Sequence, residues 1–390
     1  MKLRLLILIV VAGGLAVYFA LHRDREPVVV ADDLRRAPSA GAQESSGDGK
    51  LDSAIQDYLK RKSIPGAVVG IVRGDELLYK KAFGMRDVAN ATPMTTDTLF
   101  QIGSMTKSMT SELMGILRDD GLLTFDDPIS THLPENVELS PSLQAITLRQ
   151  LATHTAGLPR NFVNRRNVEG SPSVALPYSV RELYEGLPQT EVTELQGDSR
   201  YSNVGPALLG HILERVAGVP YEQLLRVRLL TPLGMSSTGI QPSAEQEGRL
   251  ALHYWKREDD PPIARERWKF GEVAGHGGVF SGVEDLARYV MAQYASDANG
   301  PLRGETLAEL HTPAVRFENS SGTWLGIGWF VLKLPTATIV SHDGGVDGNS
   351  ASIAFIKERK LGVIALTNRG GDTASELGQL ALRTAMRKSR

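Results

Sequence analysis

The 390-residue sequence contains no cysteine, which excludes disulfides, thiolate nucleophiles and cysteine-ligated metals. An excess of one charge is also missing: 43 Lys and Arg against 45 Asp and Glu leave a net charge of −2. No Lys/Arg-rich run stands out, so there is no electrostatic footprint for nucleic acid. The eight histidines never fall in a His-Glu-x-x-His spacing, and the sequence calls for no metal and no cofactor. Gly-x-Ser-x-Gly is absent too, the nearest string being Gly348-Asn349-Ser350-Ala351-Ser352. That argues against the nucleophile elbow of an α/β-hydrolase. No internal repeats are visible.

What is present begins with an apolar run, Leu5 to Leu21, preceded by Lys2 and Arg4. The run sits at the lower limit for a membrane span, and the bulky Tyr18-Phe19-Ala20-Leu21-His22 offers no clean cleavage site. Residues 1–27 therefore read as a signal peptide or membrane anchor, with the uncleaved anchor preferred and the remainder extracytoplasmic. Residues 28–50 are rich in Ala, Ser, Gly and charge without periodicity, the composition of a flexible linker. Residues 51–390 read as the folded domain. At 42% hydrophobic overall, the chain has ample material for its core.

The domain is organised around Ile102-Gly103-Ser104-Met105-Thr106-Lys107. Met105, Met109, Leu113, Ile116 and Leu117 recur at helical spacing, which predicts a helix from about Ser104 to Asp120 with Ser104 in its first turn. A serine there lies beside unpaired backbone N–H groups and the positive end of the helix dipole. Lys107, three residues on, is within reach of its hydroxyl. A serine hydroxyl needs a partner to take its proton, and a desolvated lysine can serve. Alone, the Ser-x-x-Lys string is weak, because an N-capping serine beside a solvated lysine looks the same.

Along the chain, Leu51, Ile55, Tyr58 and Leu59 form a helical stripe. Ala67 to Val72 and Leu77 to Phe83 read as strands joined by an Arg73–Glu76 turn. The region from about 120 to 300 reads as mostly helical, with capping boxes at Thr147–Gln150 and Ser179–Glu182. One helix follows Asn203 and another starts near Ser281, with Glu284 three residues on. Strands return at Ile327–Leu332, Thr338–Ser341, Ala351–Ile356 and Leu361–Thr367, and a last helix spans about Thr373–Arg387. Short connections imply antiparallel pairing. The expected class is α+β: an antiparallel sheet from both chain ends flanked by helices, with a mostly helical insertion and a cleft between the layers.

Two further stretches carry candidate chemistry. Tyr201-Ser202-Asn203 precedes the amphipathic helix with Leu208, Leu209, Ile212, Leu213 and Val216. Its tyrosine suits a general base if a neighbouring ammonium lowers its pKa, and locally Asn203 suits an N-cap. His342-Asp343-Gly344-Gly345 ends a predicted strand, with glycines that admit close backbone approach.

Taken in this order, the three stretches resemble the serine β-lactamase superfamily, in the branch of class C β-lactamases, D-alanyl-D-alanine peptidases and related esterases. The resemblance also draws on Thr147–Leu158, Pro232-Leu233-Gly234-Met235 and Gly277-Gly278, and covers about Leu51 to Arg387. It implies an acyl-enzyme mechanism in which Ser104 attacks a carbonyl while Lys107 and Tyr201 share the proton transfer. It further implies that Asn203 and His342 contact substrate or catalytic side chains, and that the N–H groups of Ser104 and Gly345 form an oxyanion hole. His154 reads as structural; His211, His253, His276 and His311 stay unassigned. Asp343 departs from the usual Thr or Ser of the strand motif. Facing the cleft it would repel a substrate carboxylate, unless Arg369 paired with either group. The expected substrates are small esters or amides, with cell-wall peptides or β-lactams as the alternative.

If Leu5–Leu21 anchors the chain, the full-length protein should sediment with membranes and retain its N-terminus. A soluble product beginning near residue 22 would show cleavage instead.

Overall fold

Gly66–Arg73 (β1) is apolar on both sides and buried up to its last residue, the signature of a strand at a sheet's centre. Leu361–Thr367 (β9) is buried throughout, and the two pair antiparallel from Ala67↔Thr367 to Arg73↔Leu361. This ladder joins the two ends of the domain. The computed structural model describes residues 49–161, 179–195, 197–255, 262–294, 300–318, 320 and 322–387. The Leu5–Leu21 segment and nearly all of the linker lie outside these residues. Among the described residues no helix is long and apolar enough to cross a membrane.

The other strands of this sheet are Glu76–Asp87 (β2), Thr92–Pro93 (β3), Val315–Arg316 (β4), Thr323–Leu325 (β5), Phe330–Leu334 (β6), Ala337–Val346 (β7) and Asn349–Ile356 (β8). The nine-stranded sheet runs β3-β2-β1-β9-β8-β7-β6-β5-β4, with every pair antiparallel. The α+β class and the sheet built from both chain ends are as expected. Several strand boundaries differ: β2 runs past Phe83 to Asp87, and β8 begins at Asn349, ahead of Ala351. β6 starts at Phe330 rather than Ile327, because Gly328 takes a φ of 77° and breaks the extended run. β7 continues to Val346 instead of stopping before His342.

Helices cover both faces. Gly49–Lys62 (α1) and Thr373–Arg387 (α8) pack Leu51, Ile55, Tyr58 and Leu377 against Val69, Val363 and Ala365. The other face packs Val68, Ile353 and Ile364 on Thr106–Asp119 (α2) and Val283–Ala292 (α6). Beyond α2 lie Leu148–Ala152 (α3), Val180–Gly186 (α4), Val204–Ala217 (α5) and Gly304–Leu310 (α7). Both predicted capping boxes form, at Thr147 and Ser179. Ser281 is not a cap: Gly282 precedes α6, and the Ser281 hydroxyl pairs with Thr238.

Sequence periodicity describes α2 incompletely. Its apolar stripe is buried as predicted, but Ser108, Thr110, Ser111 and Glu112 on the polar side are buried as well. The helix is central to the domain, and its polar groups find partners inside. The Thr110 hydroxyl donates to the Gly275 carbonyl at 2.5 Å, and the Tyr289 hydroxyl donates to Ser108 at 2.9 Å. Burial pushes the Glu112 carboxyl up to about 8, so it stays protonated at neutral pH.

Alternation along β7 separates its motif residues. Val340, His342, Gly344 and Val346 are buried on the α2 side, whereas the Asp343 side chain lies on the opposite side, where it interacts with Ser352, its partner on β8, and with Ser375 on α8. Asp343 therefore does not face Ser104, and the expected repulsion of a substrate carboxylate has no geometric basis. Arg369 turns away too, with its guanidinium on the Lys62 carbonyl. Behind the sheet, burial and then Asp343 and Glu376 raise Asp372 from 3.8 to about 6. A carboxyl with a raised folded-state pKa binds more protons folded than unfolded, so its contribution to stability falls as pH rises across that window. Asp372→Asn removes this loss. Its stability relative to wild type should increase by about 1–2 kcal/mol between pH 4 and pH 7 in urea melts; a pH-independent difference would refute the assignment.

Candidate active site

Gly103 takes a φ of 52° and opens a single 3-10 turn, Gly103–Met105, that runs directly into α2. Ser104 thus sits in a turn leading into the helix rather than in the α-helix itself. The turn is pressed against β7: a Cβ on Gly344 would lie 1.8 Å from the Ile102 carbonyl oxygen, and one on Gly103 2.7 Å from the Gly345 nitrogen. Only glycines let the two backbones approach this closely. β7 also overruns β6, whose last pair is Phe330↔Ser341. β6 therefore leaves the Asp343–Gly345 edge unpaired, beside the Ser104 turn.

Lys107 is 2% exposed, and its Nζ donates to Ser104 Oγ at 3.0 Å, Asn203 Oδ1 at 2.9 Å and the His276 carbonyl at 2.7 Å. The Tyr201 ring lies beside this ammonium, its centroid 5.1 Å from Lys107 Nζ, and its phenol interacts with both Lys107 and Ser104. Burial lowers the Lys107 pKa, with help from Arg160 and against the pull of Tyr201. Burial alone would raise the phenol; Lys107, the Ser104 hydrogen bond and Arg160 outweigh it and bring Tyr201 below its ordinary 10.0. The two pKa values are drawn toward each other, which suits a pair that exchanges a proton.

Asn203 does not cap α5. Its side chain is drawn to Lys107 and Asn161, and Ser202 Oγ accepts from Gly205 N in its place. His342 lies on the α2 side of the sheet, edge-on to Phe330 at 5.3 Å, and its Nδ1–H donates to the Asp343 carbonyl at 2.7 Å. Burial and then Lys107 hold its imidazole down to about 3, so it is neutral.

The stretch after α3 contributes more to the site than its sequence reveals. His154 adopts a φ of 57°, and its ring stacks on Tyr201 with centroids 4.4 Å apart. The segment 154–161 is bonded along 200–203. Arg200 N donates to the His154 carbonyl, Ser202 N to His154 Nδ1, Ser202 Oγ to the Pro159 carbonyl and Asn203 N to the Arg160 carbonyl. Arg160 places its guanidinium 5.1 Å from the Tyr201 ring centroid. His276 contributes its carbonyl to Lys107, a role carried by backbone that side-chain identity does not reveal. Among the described residues no cluster of His, Asp or Glu is arranged to hold a metal.

Residues 51–385 match the Beta-lactamase family. The chain belongs to that family. An unguisins hydrolase of Aspergillus violaceofuscus is 26% identical over 354 residues, covering 82% of this chain. The match spans only 61% of that hydrolase's own length. The octameric penicillin-binding protein homologue from Pyrococcus abyssi superposes with a TM-score of 0.76 at 27% identity, covering 87% of this chain and 77% of that one. The β-lactamase/D-alanine carboxypeptidase from Yersinia pestis gives 0.70 at 27% identity, covering 86% and 99%. As a Beta-lactamase family member, the chain presents Ser104, Lys107, Tyr201 and Asn203 as one bonded cluster beside the Gly344-Gly345 strand.

The close backbone approach predicts that Gly344→Ala destabilises the domain by about 1–3 kcal/mol in urea melts and slows any covalent labelling of Ser104. Gly345→Ala, with nothing nearer than 3.8 Å to the added carbon, should leave stability unchanged. Equal losses for the two would show that the contact is not the constraint.

Proposed function

We propose that this protein is a serine hydrolase that forms an acyl-enzyme on Ser104 and acts on small esters or amides. The observation that carries this reading is the Lys107 Nζ at 3.0 Å from Ser104 Oγ, with the Tyr201 ring centroid 5.1 Å from the same ammonium. In the proposed reaction Ser104 Oγ attacks the acyl carbon as its proton passes to the Lys107–Tyr201 pair. The oxyanion is met by the N–H groups of Ser104 and Gly345, an interaction worth about 3 kcal/mol in comparable sites. The same pair returns the proton to the leaving group, then activates the water that releases the acyl group.

The β7 motif supports uncharged substrates. It contributes a neutral His342, and Asp343 is turned behind the sheet, so neither side chain offers a cation or a hydroxyl to a substrate carboxylate. The kinship with the Yersinia carboxypeptidase makes D-alanyl peptides and β-lactams the second reading. A binding module without turnover is disfavoured by the complete Ser104, Lys107 and Tyr201 cluster. With the Leu5–Leu21 segment as a tether, the enzyme would work outside the cytoplasm.

Intact mass after treatment with a fluorophosphonate should show one adduct on the wild type and none on Ser104→Ala. Hydrolysis of a short-chain p-nitrophenyl ester should fall by about 10⁴-fold or more in that variant. Undiminished turnover by Ser104→Ala would refute the acyl-enzyme reading. A higher kcat/KM for a chromogenic cephalosporin than for the ester would transfer the assignment to the second reading.

A further inference from the structure

Three histidines surround the Lys107–Tyr201 pair, and all three are neutral. Burial and then Lys107 hold His276 and His342 down to about 3, and burial first of all keeps His154 well below its ordinary value. The motif histidine of β7 therefore brings no charge to Tyr201. Charged side chains reach this tyrosine from three directions. Lys107 of α2 lies 5.1 Å from the ring centroid, as does the Arg160 guanidinium from the segment after α3, and Glu318 accepts from Tyr201 N at 3.2 Å. Arg160 is fixed there by its own backbone, since its carbonyl accepts from Asn203 N at 2.9 Å, two residues beyond Tyr201.

We propose that Arg160 is the second cation of this site, an electrostatic positioning residue that favours the deprotonated Lys107–Tyr201 pair and so sets the pH at which Ser104 is activated. The proposal rests on the acyl-transfer reading above. A guanidinium keeps its charge throughout the working range, whereas an imidazole in the same surroundings does not. A fixed positive charge beside two coupled groups disfavours the ammonium and favours the phenolate. Both effects make the pair give up its shared proton at lower pH. The lowered pKa values of Lys107 and Tyr201 each include a contribution from Arg160, in agreement with this geometry.

The test compares Arg160→Gln with Arg160→Lys in the full-length protein. Loss of the charge should move the acid limb of kcat/KM for a p-nitrophenyl ester up by about two pH units, the scale of a unit charge at this distance and an effective dielectric near 20. Arg160→Lys should hold the limb near its wild-type position. Ultraviolet titration of tyrosinate, with each variant read against the same chain carrying Tyr201→Phe, should show the same upward shift without any need for turnover. An unmoved limb and titration in Arg160→Gln would overturn the proposal, as would equal shifts in both variants, which would mark a purely structural role. Arg160→Met replaces Arg160→Gln if the latter fails to melt cooperatively. If the wild type neither labels nor hydrolyses, the acyl-transfer reading falls, and the tyrosinate titration still decides the role of Arg160.

Discussion

A lysine amine 2% exposed inside a protein must be hydrogen-bonded or neutral, and Lys107 is placed so that it can be either. Its partners come from three separate parts of the chain: Ser104 in the turn before α2, Tyr201 and Asn203 at the entry to α5, and the His276 carbonyl. Each must be in position before burial of the amine is tolerable. The arrangement that satisfies the charge thus also assembles the cluster, and α2, buried on all sides, is the rigid element that carries it.

Two backbone devices hold the partners. On one side, β7 and the Ser104 turn meet through glycines at a separation that excludes a side chain. On the other, residues 154–161 are bonded onto 200–203, so the Tyr201 ring is held by its own main chain, by the stacked His154 and by the neighbouring Arg160. A left-handed backbone at His154, rather than at a glycine, shows the local strain this placement involves. In the proposed mechanism such a tyrosine would lose little further freedom on transferring a proton, which is the advantage of preorganisation.

Much of this was legible in the sequence. Runs of Val, Ile and Ala marked β1 and β9, capping boxes marked α3 and α4, and the spacing of Ser104 and Lys107 anticipated the contact between their side chains. Other features could not be read, for identifiable reasons. Helical periodicity reports which side of α2 is apolar, not whether its polar side is also covered, so the burial of Glu112 and Ser108 escaped notice. Contacts made by backbone atoms, such as the His276 carbonyl on Lys107, do not depend on the residue type. His154 appeared structural because its neighbours suit a helix end, and the ring it stacks on is 47 positions away in the chain.

Asp343 shows how one period-two rule reorganises a functional argument. Read as a string, His342-Asp343-Gly344 puts three residues of one motif at the same site. In an extended strand the middle residue points the opposite way, and β7 stays extended through the whole motif. Asp343 therefore answers to Ser352, Ser375 and Asp372 behind the sheet, where its charge bears on the docking of α8. The site-facing members are a neutral imidazole and a glycine. What the strand brings to Ser104 is consequently shape, backbone N–H groups and an absence of charge. The positive potential around Tyr201 must come from other elements, Lys107 on α2 and Arg160 beside it. In the proposed mechanism, proton transfer and substrate placement would then be governed by different layers of the fold, and a change in one need not disturb the other.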